Sequence, residues 1–190
     1  MIQIAATSRF IVRMLFSIIF VATLTLPFPT GSHAQGAISD YRLGSGDRIQ
    51  IRVYGEEDLS LEALISDSGT FVYPFLGEVL VNGLTLSQLE TVIRTGLKGD
   101  YLINPDVLVS IVEYRPFFIQ GEVNAPGGYP FQPGLTINKA AAVANGFTER
   151  ASEKKIFVVR GDDPQQNRVK AKLTTMIRPG DIITVEQGFF

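Results

Sequence analysis

The chain writes the same two devices twice. "GSGDRIQIRV" from Gly44 to Val53 and "RPGDIITVEQ" from Arg178 to Gln187 each set a glycine and an aspartate ahead of β-branched residues at alternate positions. "GLTLSQLE" from Gly83 and "GLTINKAAAVANG" from Gly134 each set a threonine at the head of an apolar run with helical spacing. Alternation at period two means a half-buried strand, and a threonine before period 3.6 means a capped helix. A chain with these devices in tandem folds as α+β: two small strand-rich units of one short helix each.

The first unit reads in order. Ile49, Ile51 and Val53 share a strand face, with Gln50 and Arg52 opposite. A second strand runs from Leu61 to Ile65, and Thr70 to Tyr73 returns across Ser66-Asp67-Ser68-Gly69 as its expected hairpin partner, before Pro74 breaks the ladder. Glu78 to Val81 makes a short strand. Thr85 with Gln88 forms a capping box, Leu86, Leu89, Ile93 and Leu97 stack on one helix face, and Gly96 or Gly99 stops the helix. Val107 to Val112, apolar on both faces, predicts a central strand.

The boundary falls near Tyr114 to Pro116. In the second unit Phe117 to Gly121 is a strand whose first two phenylalanines point to opposite faces. A loop dense in glycine and proline spans Asn124 to Gly134. A helix follows with Thr136 as N-cap and Gly146 as stop, then strands at Ile156 to Arg160, Arg168 to Leu173 and Ile182 to Glu186.

Gly46 and Gly180 permit a turn that other residues resist. Asp47 and Asp181 can each accept a hydrogen bond from the backbone two residues on, an Asx-turn that launches a strand. These four residues are read as structural.

Composition removes most chemistry. Cysteine is absent, and the single histidine, His33, lies at the end of a segment with the layout of a secretory leader. Arg9 and Arg13 precede an uncharged run from Met14 to Leu26, then prolines and the small residues Ser32 and Ala34. That run falls short of the roughly 20 residues that span a bilayer. A mature chain beginning near Gln35 is expected; the alternative, an uncleaved anchor, fits Arg13 and the prolines poorly. Without His33 the chain has no Cys nucleophile, no His base, no thiolate or imidazole metal site and no disulfide. No cofactor is expected. The full chain carries 17 Lys+Arg against 19 Asp+Glu, and the leader holds two of the arginines. No basic run or basic-aromatic patch suits a nucleic acid. Glu56, Glu57 and Asp58 fan outward from one turn, whereas a glycosidase holds two carboxyls about 5 to 9.5 Å apart across a cleft. Asp162-Asp163 reads as another exposed turn.

"YRLGSGDRIQIRVYG", "DSGTFVYPFLGEVLVNGLTLSQLE" and "NPDVLVSIVEY", followed by "FFIQGEVNAPGGYPF", "GLTINKAAAVANGFTERA" and "IRPGDIITV", resemble the outer-membrane polysaccharide export proteins. In that family a poly-export domain precedes a soluble-ligand-binding β-grasp (SLBB) domain. The resemblance runs from about Tyr41 to Val185 and divides the chain into a leader (1–34), a poly-export domain (35–114) and an SLBB domain (115–190). It implies a periplasmic, outer-membrane-associated, ring-forming subunit that hands capsular polysaccharide or exopolysaccharide outward, with no catalysis. Many members carry an acylated cysteine after the leader, or a C-terminal helix that lines a pore. This sequence shows neither, so the short form implies an adaptor ring beneath a separate outer-membrane channel such as a β-barrel. Below it would stand an inner-membrane chain-length regulator or kinase. Asn124, Tyr129, Phe131 and Gln132 are candidates for glycan or subunit contacts, and Phe189 and Phe190 for docking on an outer-membrane partner. A monomeric glycan sensor and a small polysaccharide-degrading enzyme are the competing readings.

Overall fold

A computed structural model describes residues 41–188. The expected leader and the docking pair Phe189 and Phe190 lie outside the described residues.

β1 (Arg48–Val53) buries Ile49, Ile51 and Val53 and exposes Gln50 and Arg52, as its alternation requires. It is the middle strand of an antiparallel three-stranded sheet, between β2 (Leu61–Leu64) and β5 (Val107–Glu113). β3 (Thr70–Tyr73) and β4 (Gly77–Leu80) form a separate hairpin. α1 (Leu86–Leu97) packs on β5 and buries Leu89, Ile93 and Leu97 completely. Its capping box is complete: the Gln88 N–H donates to Thr85 Oγ1 at 3.3 Å, and the Thr85 N–H donates to Gln88 Oε1 at 2.9 Å. The helix ends through Lys98 into Gly99, whose φ is +97°, while Gly96 sits in the last turn against Leu76. Thr85→Ala should therefore lower unfolding stability by about 1 kcal/mol in urea titrations. Thr91→Ala, at an exposed mid-helix site, serves as the reference; equal losses in the two variants would show the cap to be idle.

Two expectations in this half are corrected. β3 does not pair with β2; it pairs with β4, in register Thr70↔Leu80 to Tyr73↔Gly77. The Ser66 N–H still closes on the Thr70 carbonyl, but the next acceptor, Gly69 O, takes the N–H groups of Val81 and Asn82. The chain leaving the turn is thus committed to β4, and Pro74 lies in the β3–β4 turn with Phe75 at φ 64°. Nor is β5 central. It is an edge strand, and Leu108 and Val112 on its second face stay exposed. Its edge is partly covered, because the Val109 N–H donates to Glu90 Oε1 of α1 at 3.0 Å.

In the second half a mixed five-stranded sheet runs in the order β7-β6-β10-β8-β9. Its strands are β6 (Phe117–Gly121), β7 (Gly127–Tyr129), β8 (Ala151–Val159), β9 (Arg168–Ala171) and β10 (Ile182–Gln187). β6 and β10 are parallel and every other pair is antiparallel. α2 (Ile137–Val143), capped by Thr136 Oγ1, contributes Ile137, Ala140 and Ala141 to the core with Phe117, Ile119, Ile183 and Val185. Phe117 is buried and Phe118 half exposed, on opposite faces. β7 lies inside the stretch read as loop. Glycines give a strand no side chain to announce it, and here the Phe118 ring covers Gly128 instead.

Each half thus has its own apolar core, and the described residues all fall within one compact unit. The architecture is α+β, strand-rich, with one short helix per half.

Candidate functional site

The two Gly-Asp turns have the same geometry. In each, the aspartate N–H donates back three residues, Asp47 to the Gly44 carbonyl at 3.1 Å and Asp181 to the Arg178 carbonyl at 3.2 Å. The third residue is a glycine at φ +89° or +81°, as a type II turn requires. The carboxylates also reach backward rather than forward: the Gly44 N–H donates to Asp47 Oδ2 and the Arg178 N–H to Asp181 Oδ2, both at 2.8 Å. This differs from the expected Asx-turn, because the carboxylate closes the turn that precedes the strand. Both side chains are fully buried.

Each buried carboxylate has an arginine. Asp181 Oδ2 accepts from Arg160 Nη1 at 2.7 Å, and Oδ1 accepts from the Gly161 N–H at 3.2 Å. Asp47 accepts from the Tyr41 hydroxyl at 2.7–2.8 Å and from the Arg115 N–H at 2.9 Å, with Arg115 Nη1 at 3.5 Å. Arg115 Nε in turn donates to the Pro179 carbonyl at 3.3 Å. A single arginine therefore bridges the two repeated turns: a Cβ on Gly44 or on Gly180 would meet its guanidinium at 1.9 or 2.7 Å. The repeated motif is a clasp between the halves.

Burial pushes the Tyr41 hydroxyl far above its ordinary range, and the Asp47 charge adds to this, so Tyr41 remains a donor. Burial also pushes the Asp181 carboxyl above its ordinary 3.8, against the pull of the Arg178 N–H, Arg160 and the Gly161 N–H. An acid whose pKa rises on folding stabilises the fold most below its unfolded pKa, and that contribution fades as pH climbs through the raised value. The stability of the native chain relative to Asp181→Asn should accordingly decline as pH rises upward from 3.8. Urea titrations over a pH series measure it; a difference that grows with pH would reverse this order.

Beside the clasp opens a cleft of about 470 Å³. Its aromatic wall is Tyr41, Tyr114 and Phe131, with ring centroids 5.1 and 5.4 Å apart, each pair edge to face. Arg42, Arg115 and Arg178 supply cationic groups and Asp162 an acidic one. The Arg42 Nη1–H donates to the Gly83 carbonyl at 2.8 Å, and Arg178 Nη1 lies 3.5 Å from Asp162 Oδ2, both side chains at least half exposed.

Of the four candidate contact residues, the cleft takes one, Phe131. Asn124 donates to the carbonyls of Asn145 and Phe147, and Tyr129 donates to Ala125 O at 2.6 Å while stacking on Phe117. Both tie down their own loop. Gln132 is exposed and does not line the cleft. Tyr41, Arg42, Tyr114 and Arg178 were missed. The one available signal was the aromatic-arginine pair Tyr114-Arg115 at the unit boundary, where a joint needs both packing and charge. Glu56, Glu57 and Asp58 lie exposed in a short 3-10 turn around Glu57–Leu59, and among the described residues no group of acids could hold a metal.

Two apolar cores are thus joined by an arginine clasp, with an aromatic and cationic cleft at the joint. Residues 35–112 match the family of polysaccharide biosynthesis/export proteins, and residues 116–168 match the SLBB domain. The chain belongs to the polysaccharide biosynthesis/export family, with an SLBB domain following its export domain. The second match stops before β10, although Ile183 and Val185 of that strand belong to the same core.

Among curated relatives, the exopolysaccharide production protein ExoF of Rhizobium meliloti is 31% identical over 122 residues, covering 57% of this chain and 28% of that protein. The polysialic acid transport protein KpsD of Escherichia coli is 30% identical over 131 residues, covering 67% and 24%. The EPS I polysaccharide export outer membrane protein EpsA of Ralstonia nicotianae is 24% identical over 181 residues, covering 77% and 47%. The chain thus spans from about a quarter to about half of the length of these relatives.

Proposed function

We propose that the chain is a non-enzymatic component of capsular polysaccharide or exopolysaccharide export. It works in the periplasm at the outer membrane, as a homo-oligomeric ring that passes polymer to a separate channel. The observation that carries this reading is the ordered pair of family matches, backed by relatives named for polysaccharide production, transport and export. The division into a leader (1–34), an export domain (35–114) and an SLBB domain (115–190) is part of the same proposal.

Two physical features support it. The arginine clasp holds the halves in a fixed relation, which a repeating assembly needs. The first half also exposes Val72, Phe75, Leu80 and Ile103 at 64–93%, apolar side chains that a neighbouring subunit would cover. Among the described residues no helix is long and apolar enough to cross a membrane.

Deleting the gene should abolish release of the cell's polymer, and restoring the chain should return it. Normal release after deletion would sink the reading. Light scattering on the purified chain tests assembly: a stable monomer at high concentration would favour the monomeric glycan sensor.

A further inference from the structure

We propose that the cleft at the joint binds an acidic sugar residue, through its carboxylate on Arg178 and Arg42 and its ring against the Tyr41–Tyr114–Phe131 wall. This rests on the export reading and names the class of saccharide that the chain meets.

The volume, about 470 Å³, lies within the range of small-ligand sites, roughly 300–1,000 Å³, which concentrate at joints between structural units. A saccharide offers an apolar C–H face and a rim of hydroxyls. The cleft offers the complement: three rings in one continuous wall, with charged groups around them. Fixed by its neighbours on both sides, the Tyr114 ring loses little freedom when a ligand arrives.

The charge selects the sugar. Arg115 is committed to Asp47 and Pro179. Arg178 and Asp162 form an exposed pair at 3.5 Å, and such pairs contribute so little that a ligand can replace either partner. Arg42 spends one donor on Gly83 O, and a guanidinium has five. With Asp47 and Asp162 set against three arginines, one positive charge is left over in a chain whose formal net charge is −2. A sugar carboxylate meets that charge with the planar, two-pronged geometry arginine favours, while Asp162 accepts hydroxyl hydrogen bonds. The open, solvated setting keeps the contact weak, as a passing polymer requires.

The test is a titration of the isotope-labelled full chain with digalacturonic acid, followed by NMR, with maltose and inorganic phosphate as parallel arms. Digalacturonic acid should shift the Arg178 side-chain Nε–H and the backbone amides around Arg42, Phe131 and Arg178 at millimolar concentration. Maltose should act on the same set at least roughly tenfold more weakly, since it lacks the charge-assisted bond. Arg178→Gln, an exposed change, should weaken the digalacturonate response by roughly tenfold and leave the maltose response and the melting temperature as they were. Equal responses to both sugars, an equal response to phosphate, shifts confined to another surface, or no shift at all would each overturn the proposal. Polymer release from the deletion strain is read separately. Lost release with no digalacturonate binding sinks the cleft and keeps export, whereas normal release sinks the export reading itself.

Discussion

Asp47→Ala is expected to cost about 3–5 kcal/mol of unfolding free energy, the range for breaking one partner of a buried ion pair. The carboxylate is fully buried and accepts from the Tyr41 hydroxyl, the Gly44 N–H and the Arg115 N–H, with Arg115 Nη1 3.5 Å away. Alanine would strand all of these donors at once, and Arg115, only 15% exposed, would keep its charge with no carboxylate beside it. Asp47→Asn, which retains acceptor capacity without the charge, should lose less. Arg115→Met added to Asp47→Ala should recover part of the loss, since removing both charges relieves the burial penalty. Urea midpoints measure the series. A single Asp47→Ala loss within about 0.5 kcal/mol of zero, the usual range for surface changes, would show that water reaches the clasp.

Gly121→Ala should be nearly as damaging, at about 3–5 kcal/mol from steric overlap and left-handed strain combined. Gly121 has φ +87°, and a Cβ there would lie 2.1 Å from the Val185 carbonyl oxygen. That oxygen belongs to β10 and accepts the Glu122 N–H at 2.9 Å, so the methyl cannot enter without breaking the parallel β6–β10 pairing. Gly127→Ala is the control, because nothing lies within 4 Å of its added Cβ and its φ is not positive. It should change stability by less than about 0.5 kcal/mol. Thermal unfolding followed by near-ultraviolet circular dichroism distinguishes them; similar melting temperatures for the two variants would reject the steric argument.

The sequence alone determined whatever depends on neighbours a few residues away. The Thr85–Gln88 capping box, the alternation of β1, the buried stripe Leu89-Ile93-Leu97 and the positive φ of Gly46 and Gly180 are all local bargains between side chain and backbone, and each was legible. The turn ahead of each strand, with Asp47 or Asp181 at its end, was legible for the same reason, though not the direction in which the carboxylates reach.

Only the tertiary structure decided partnership. A strand's pattern says which face is buried but not which neighbour takes its hydrogen bonds, so β3 went to β4 and β5 to an edge. Arg115 lies 68 residues from Asp47 and 64 from Pro179, and the cleft draws on segments from Tyr41 to Pro179. Contacts at that range leave no period or spacing in the chain. They exist once two separate cores have formed and are held against each other.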